Sequence, residues 1–282
     1  MVKSLILFLN FFIITHFCFC QAAKSPFENC DCTSKKIQDT LIVRYIDNGA
    51  EKNDYNSPIW QAYCDSLIKI CPNIAVSYQL KAIPFIKMGD YATAFPLEDK
   101  AVELAPKEYT AYRGFLKCIF TKDYEAAIID FQKAQQLTPN NYEMDHTYPF
   151  YEGLCNLELR EYNKAEQNFK QDILIQTGGD QNKNIHFNSL LYIGILYYEM
   201  QKDEKAKEYL LKCLLQYKDL PDANYYLALV YKREKNIEFQ NKYLQIAKQA
   251  KAKGYSLNEG NVYYVYYPHQ ITLYEIDKAL EE

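Results

Sequence analysis

The chain of 282 residues is 49% apolar and 24% charged, with a formal net charge of −4. That balance excludes a disordered tail, a collagen-like fibre and a multi-span membrane protein, and it argues against a nucleic-acid groove, which needs clustered Lys and Arg. With 27 Tyr and only 9 Gly, the sequence reads as many helices joined by short turns.

Residues 1–22 read as a secretory signal peptide. Lys3 supplies a positive start, Leu5 to Ile14 an apolar run broken only by Asn10, and Cys18, Cys20 and Ala22 small residues for cleavage. Cleavage is expected after Cys20 or after Ala22. A retained anchor is the competing reading, but the run falls short of the ~20 apolar residues of a spanning helix. Lipidation of Cys20 is a second alternative, weakened because Phe17-Cys18-Phe19 lacks the Leu and small residue of a bacterial lipobox. An exported bacterial protein, periplasmic or secreted, is expected.

Residues 23–72 form an N-terminal helical segment in this reading. Thr33 to Ile46 places Ile37, Leu41 and Tyr45 on one stripe, and Asn48-Gly49 stops the helix. Ser57-Pro58 then gives an N-cap and first-turn pair. Trp60, Tyr63, Cys64, Leu67 and Cys71 form the inward stripe of a second helix, which Pro72 ends.

Beyond the signal stand Cys30, Cys32, Cys64, Cys71, Cys118, Cys155 and Cys213. An odd number leaves at least one thiol free. Cys64 and Cys71 lie ~10 Å apart along one helix, too far for a disulfide, whose Cα atoms must lie within ~7 Å. Each is within reach of Cys30 or Cys32, so a disulfide among these four is expected with its pairing open. Cys118, Cys155 and Cys213 fall on apolar faces and read as small buried hydrophobes. Cys30-x-Cys32 has no zinc spacing, and no metal site is expected.

An internal repeat follows. Asp90-Tyr91-x-x-Ala94 recurs as Asp123-Tyr124-x-x-Ala127 and Glu161-Tyr162-x-x-Ala165, with Pro106 and Pro139 ending the first two units. A small or apolar residue precedes each second marker by twelve positions: Ala82/Ala94, Phe115/Ala127, Gly153/Ala165, Gly194/Ala206 and Ala228/Gln240. Antiparallel helices approach closely only where side chains are small. Ala127-x3-Phe131 with Ala134 and Pro139, and Ile193-Gly194-x2-Tyr197 with Leu227-Ala228-x2-Tyr231, resemble the tetratricopeptide repeat. The resemblance implies an all-α, right-handed superhelical solenoid of antiparallel helix pairs, about five units over residues 73–253. Phe115 and Cys118 depart from the pattern in the second unit, Asp172 in the third and Gln240 in the fifth. Thr177 to Asn184 is a longer loop without the Gly-Lys-Ser/Thr of a phosphate loop.

The same resemblance implies a concave groove lined by first helices. It places Tyr109, Tyr112, Leu116, Phe120, Phe150, Leu191, Tyr198 and Tyr225 there, an aromatic and aliphatic set that suits an apolar segment of a protein or peptide partner. The competing reading is that some of these side chains pack between neighbouring repeats. A structural or assembly component of the cell envelope that binds through its convex face or ends is the alternative function.

Residues 254–282 are a Tyr-rich connector and a capping helix. Val262 to Pro268 reads as extended, either packed back across the last repeats and filling part of the groove or simply leading to a helix at Gln270 to Leu280. Enzyme chemistry finds no support: His146, His186 and His269 lack metal-ligand spacing, and no Gly-x-Ser-x-Gly, His-Glu-x-x-His or dinucleotide fingerprint occurs. Glu143, Asp145 and His146 read as a solvated helix start rather than a hydrolase or metal site. No cofactor is expected.

Overall fold

The computed structural model describes residues 31–180, 183–257 and 259–282. The signal-peptide reading and Cys30 lie outside the described residues. Two helices come first, α1 (Lys35–Ile42) and α2 (Pro58–Ile70). Five antiparallel pairs follow: α3 (Ala75–Met88) with α4 (Tyr91–Leu104), α5 (Pro106–Leu116) with α6 (Tyr124–Leu137), α7 (Tyr148–Glu158) with α8 (Tyr162–Thr177), α9 (Phe187–Glu199) with α10 (Asp203–Gln216), and α11 (Pro221–Arg233) with α12 (Ile237–Ala252). A last helix, α13 (Leu273–Glu281), packs on α12. The chain is an all-α solenoid of helix pairs.

The first of the described helices is shorter than the apolar stripe suggested. It runs to Ile42 and then widens into a π turn over Val43–Asp47, so Tyr45 is still carried inward. The Ser57 hydroxyl caps α2 by accepting from the Trp60 backbone N–H. The last helix starts at Leu273, where Thr272 and Glu275 form a reciprocal capping box.

Each pair turns on one residue in the left-handed region followed by the second helix. These residues are Gly89, Lys122, Arg160, Gln201 and Lys235, with φ of 80, 58, 60, 57 and 60°. Asp90, Asp123 and Asn236 then accept a backbone N–H as N-caps. A glycine is used once. In the other four turns an L side chain bears the strain.

Close approach within a pair is built from one contact repeated along the chain. A Cβ on Gly153 would meet the Phe169 ring at 2.9 Å, and one on Gly194 would meet Leu210 at 2.8 Å. In both pairs the partners stand sixteen residues apart, as do Ala82 and Glu98, and Ala228 and Leu244. The second pair differs: a Cβ on Gly114 would meet Asp130 Cβ at 3.2 Å and the Phe131 ring, seventeen residues on, at 3.3 Å. A π turn over Lys117–Thr121 inserts the extra residue. The small position of this unit is therefore Gly114, and Phe115 is its neighbour, buried against Tyr151 with ring centroids 5.8 Å apart.

Two apolar cores result. Leu41, Ile46, Trp60, Leu67, Ile74 and Leu80 form one at the N-terminal end. The other runs continuously through the remaining pairs, from Ala82 to Ala279. Cys32 and Cys71 form a disulfide, with Cα atoms 5.5 Å apart, that ties the segment before α1 to the end of α2. Cys64 is not part of it; its thiol is free and buried. Closing a 39-residue loop stabilises the native chain by up to about 4 kcal/mol in the chain-entropy treatment.

Candidate functional site: a groove crossed by its own strap

Residues 255–257 and 259–272, between α12 and α13, run as a strap across the first helices. The strap is folded into turns at 260–264 and 268–269 where the sequence pattern suggests an extended stretch, because backbone hydrogen bonds close Val262 on Glu259 and Tyr264 and Val265 on Asn261. Leu257 is buried in the main core, and the polar attachments begin at Glu259. The Glu259 Oε1 lies 2.8 Å from His146 Nε2 and also accepts from the Asn188 side-chain amide. Asn261 meets the Lys87 ammonium in α3. The Lys122 ammonium donates to the Tyr266 carbonyl. Farther along, the Tyr192 hydroxyl donates to the Pro268 carbonyl at 3.0 Å. His269 lies 3.0 Å from the Tyr226 hydroxyl and 3.1 Å from Glu158. Finally, the Ile271 N–H donates to Asp222 at 2.8 Å.

The strap's sequence explains its two faces. Val262, Val265 and Tyr267 pack onto the main core. Tyr263 and Tyr266 face outward, 89% and 63% exposed. Tyr264 lies beneath the Lys87 ammonium, 4.1 Å from the ring centroid, and its hydroxyl meets that of Tyr55 at 2.9 Å.

Under the strap lies a buried polar cluster. His146 stacks on Phe150 at 4.0 Å and meets His186 edge-on at 4.9 Å. Burial, and next the His146 ring, lowers the His186 pKa. Thr147 donates to Asp172 at 2.8 Å, and Gln176 bridges Asp172 to Ser189. Burial pushes the Asp222 carboxyl up to about 6. The stretch around His146 is no solvated helix start. Tyr142–Glu143 pairs with His146–Thr147 as a two-stranded hairpin turning on Met144 and Asp145, and His146 is 2% exposed. Among the described residues no group of three or more His, Cys, Asp or Glu side chains is arranged to hold a metal ion.

The sequence-derived groove residues fall into three places. Phe120 and Tyr112 line an open cavity of about 360 Å³, together with Gln79, Ile83, Met144 and Asn261. Tyr109 lies near them, half-buried, its hydroxyl pushed up to about 12 by burial. Leu116, Phe150 and Leu191 are buried within the protein. Tyr198 and Tyr225 both pack edge-on against Tyr226, with the Arg233 guanidinium 3.5 Å above the Tyr198 ring.

His146, Asn188, Asp222 and Glu259 were not singled out from the sequence as groove residues, although the repeat register holds a signal for two of them. Asn188 and Asp222 each stand six residues before the small residue of their unit, Gly194 and Ala228. A second surface lies where α6, α7 and α8 meet, around a depression of about 710 Å³. Ile129, 65% exposed, and Glu152, pushed up to about 7 by burial, line it.

Comparison with known proteins agrees with this architecture. The tetratricopeptide repeat model matches residues 118–141 and 188–219. The fold is similar to that of PilW, described as a widely conserved type IV pilus biogenesis factor, at 15% identity and a TM-score of 0.61, covering 82% of this chain and 100% of that one. It is similar to PilF of Pseudomonas aeruginosa, at 15% identity and a TM-score of 0.57, covering 75% and 92%. YrrB, described as a TPR protein with an unusual peptide-binding site, aligns at 16% identity and a TM-score of 0.50 over 67% of this chain and 92% of its own. No curated protein matches the sequence. The two matched segments and the shared fold identify tetratricopeptide repeats at 118–141 and 188–219 within an all-α solenoid of the tetratricopeptide type.

Proposed function

We propose that this is an exported, non-catalytic tetratricopeptide-repeat protein that binds a protein or peptide segment through its aromatic-lined concave groove. One observation supports the reading: the first helices already hold polypeptide, the chain's own strap, which crosses them in turns at 259–265 and 267–270. Side chains of α9 and α11 hold it through Pro268 O and Ile271 N. Backbone-directed contacts of this kind accept segments of varied sequence. The open cavity at Tyr112 and Phe120 is where an incoming segment first gains contact, and displacing the strap extends the site toward Tyr198 and Tyr225.

Export accords with the N-terminal sequence and with the Cys32–Cys71 disulfide, since such bonds persist in oxidising compartments. Among the described residues no helix is long and apolar enough to cross a membrane. Photo-crosslinking from positions 112 and 225 in intact cells, read by mass spectrometry, tests the groove. A discrete partner lost on Tyr112→Ala with Tyr198→Ala, at unchanged helicity, is expected. Crosslinks confined to residues 262–268 would defeat the reading.

The depression where α6, α7 and α8 meet favours a second reading, assembly through that face, because exposed Ile129 lies beside the half-buried Glu152. A partner that survives the groove substitutions and is lost with Ile129→Asp supports this alternative.

A further inference from the structure

Lys87 stands in the last turn of α3, half-buried, and among the described residues no carboxylate pairs with it. An ammonium has three N–H donors, and one of them goes to the neutral side-chain carbonyl of Asn261 in the strap. The charge also lies 4.1 Å from the Tyr264 ring centroid and 5.7 Å from that of Phe120. Neighbouring lysines are neutralised instead. Lys81, in the same helix, pairs with Asp65, and Lys117, in the π turn after α5, pairs with Asp130. A half-buried cation held by an amide and two rings gains more from an anion than an exposed one does.

That ammonium lines the open cavity of about 360 Å³ beside the strap. The facing walls are apolar: Ile83 from α3, Tyr112 and Phe115 from α5, Phe120 from the π turn and Met144 from the hairpin. The volume is at the small end of ligand pockets, enough for one large side chain and too little for a helix. Glu98 and Glu143 both act on Tyr112, but burial pushes their carboxyls up to about 9 and about 7. At neutral pH the first is uncharged and the second only partly charged, so Lys87 sets the local sign.

We propose that the cavity and Lys87 form an anchor subsite for an acidic–apolar pair in the bound segment. A large apolar side chain enters between Tyr112, Phe120 and Met144, and the carboxylate of a neighbouring Asp or Glu meets the Lys87 ammonium. This assignment rests on the groove reading above and adds the chemistry of the segment to it. Two N–H donors remain beside the one given to Asn261, so the carboxylate binds with the strap in place and Asn261 forms one side of the subsite.

The test uses the folded full chain, immobilised, and a library of amide-capped peptides with a central Phe and randomised positions on both sides. Bound peptides are sequenced by mass spectrometry. Asp and Glu are expected to outnumber Asn and Gln beside the Phe by about fivefold or more. Lys87→Arg should keep that preference and Lys87→Met should abolish it. Asn261→Ala frees the ammonium from the strap and should also keep it; its loss there would assign the effect to the strap and overturn the proposal. Peptides bound without an acidic preference, or with the same preference in Lys87→Met, would overturn the subsite and leave the groove reading standing. Retention of no peptide by any of the four proteins would also overturn the subsite, and the photo-crosslinking above then decides the groove reading by itself.

Discussion

The Trp60 indole N–H donates to the backbone carbonyl of Leu80 at 2.9 Å, in the buried space between α2 and α3. That carbonyl is the one left without a helical donor by Pro84, four residues on within α3. A proline in a helix interior ordinarily costs a backbone hydrogen bond; here a side chain from the preceding helix replaces it and fixes how α2 docks. Trp60→Phe keeps most of the apolar contact and strands the carbonyl, so chemical denaturation should show a loss of about 1–3 kcal/mol. Pro84→Ala returns a backbone donor. It should stabilise the Trp60→Phe background by about 1 kcal/mol more than it stabilises the wild type, and equal effects in both would refute the coupling.

Glu98 occupies the position that Phe131, Phe169, Leu210 and Leu244 fill in the other pairs. It is fully buried, and neither carboxyl oxygen has a hydrogen-bond partner. Burial pushes its pKa from 4.5 to about 9. The unfolded chain releases this proton near pH 4.5, whereas the native chain keeps it until about 9, so stability falls as pH rises through that window. At pH 7 the deficit is about 3 kcal/mol. Glu98→Leu should recover an amount of this order in urea titrations at pH 7 and gain little at pH 4. An equal gain at both pH values would show that the carboxyl is not the cause.

Left-handed turn residues offer a smaller, separable effect. Gln201 adopts a φ of 57°, so Gln201→Gly relieves strain while adding freedom to the unfolded chain, for a net gain of about 0.5 kcal/mol. At Gly89, φ is 80° and nothing lies within 4 Å of a built Cβ. Gly89→Ala should therefore cost about 0.5–1 kcal/mol through backbone strain alone. Thermal melts of the two variants should shift in opposite directions.

Release of the strap should be visible without unfolding the repeats. Glu259→Ala removes the bonds to His146 and Asn188. Limited proteolysis is expected to cut within residues 255–268 faster than in the wild type, with far-UV circular dichroism unchanged. Tyr263→Ser, at an 89% exposed position, should leave the cleavage rate as it was. Matching rates for all three proteins would mean that Glu259 does not hold the strap.

Much of this architecture was legible because the repeat writes its geometry into local spacing. Gly153 with Ala165 and Gly194 with Ala206 mark real crossings, and the polar turns fall where the pattern put them. Phe115 was misassigned because a π turn adds one residue without altering the apolar pattern around it. The hairpin at 142–147 was read as a helix start since its two-residue strands are too short to alternate visibly. His146 and Glu259 stand 113 residues apart, and no local periodicity encodes such a pairing. For the same reason the spacing left Cys32–Cys71 as one option among several.

The hydrogen bond between Tyr55 and Tyr264 spans 209 residues. In an ordinary repeat array each unit contacts only its neighbours, and stability is nearly a sum of local terms. Here the strap links both ends, so opening one end releases contacts at the other and cooperativity extends over the array. The tie also raises the contact order, which slows the final folding step. During synthesis the repeats emerge before the segment that crosses them. A newly made chain therefore leaves its first helices uncovered until residues 259–272 have emerged, and the folded chain keeps the cavity at Tyr112 and Phe120 open beside the strap.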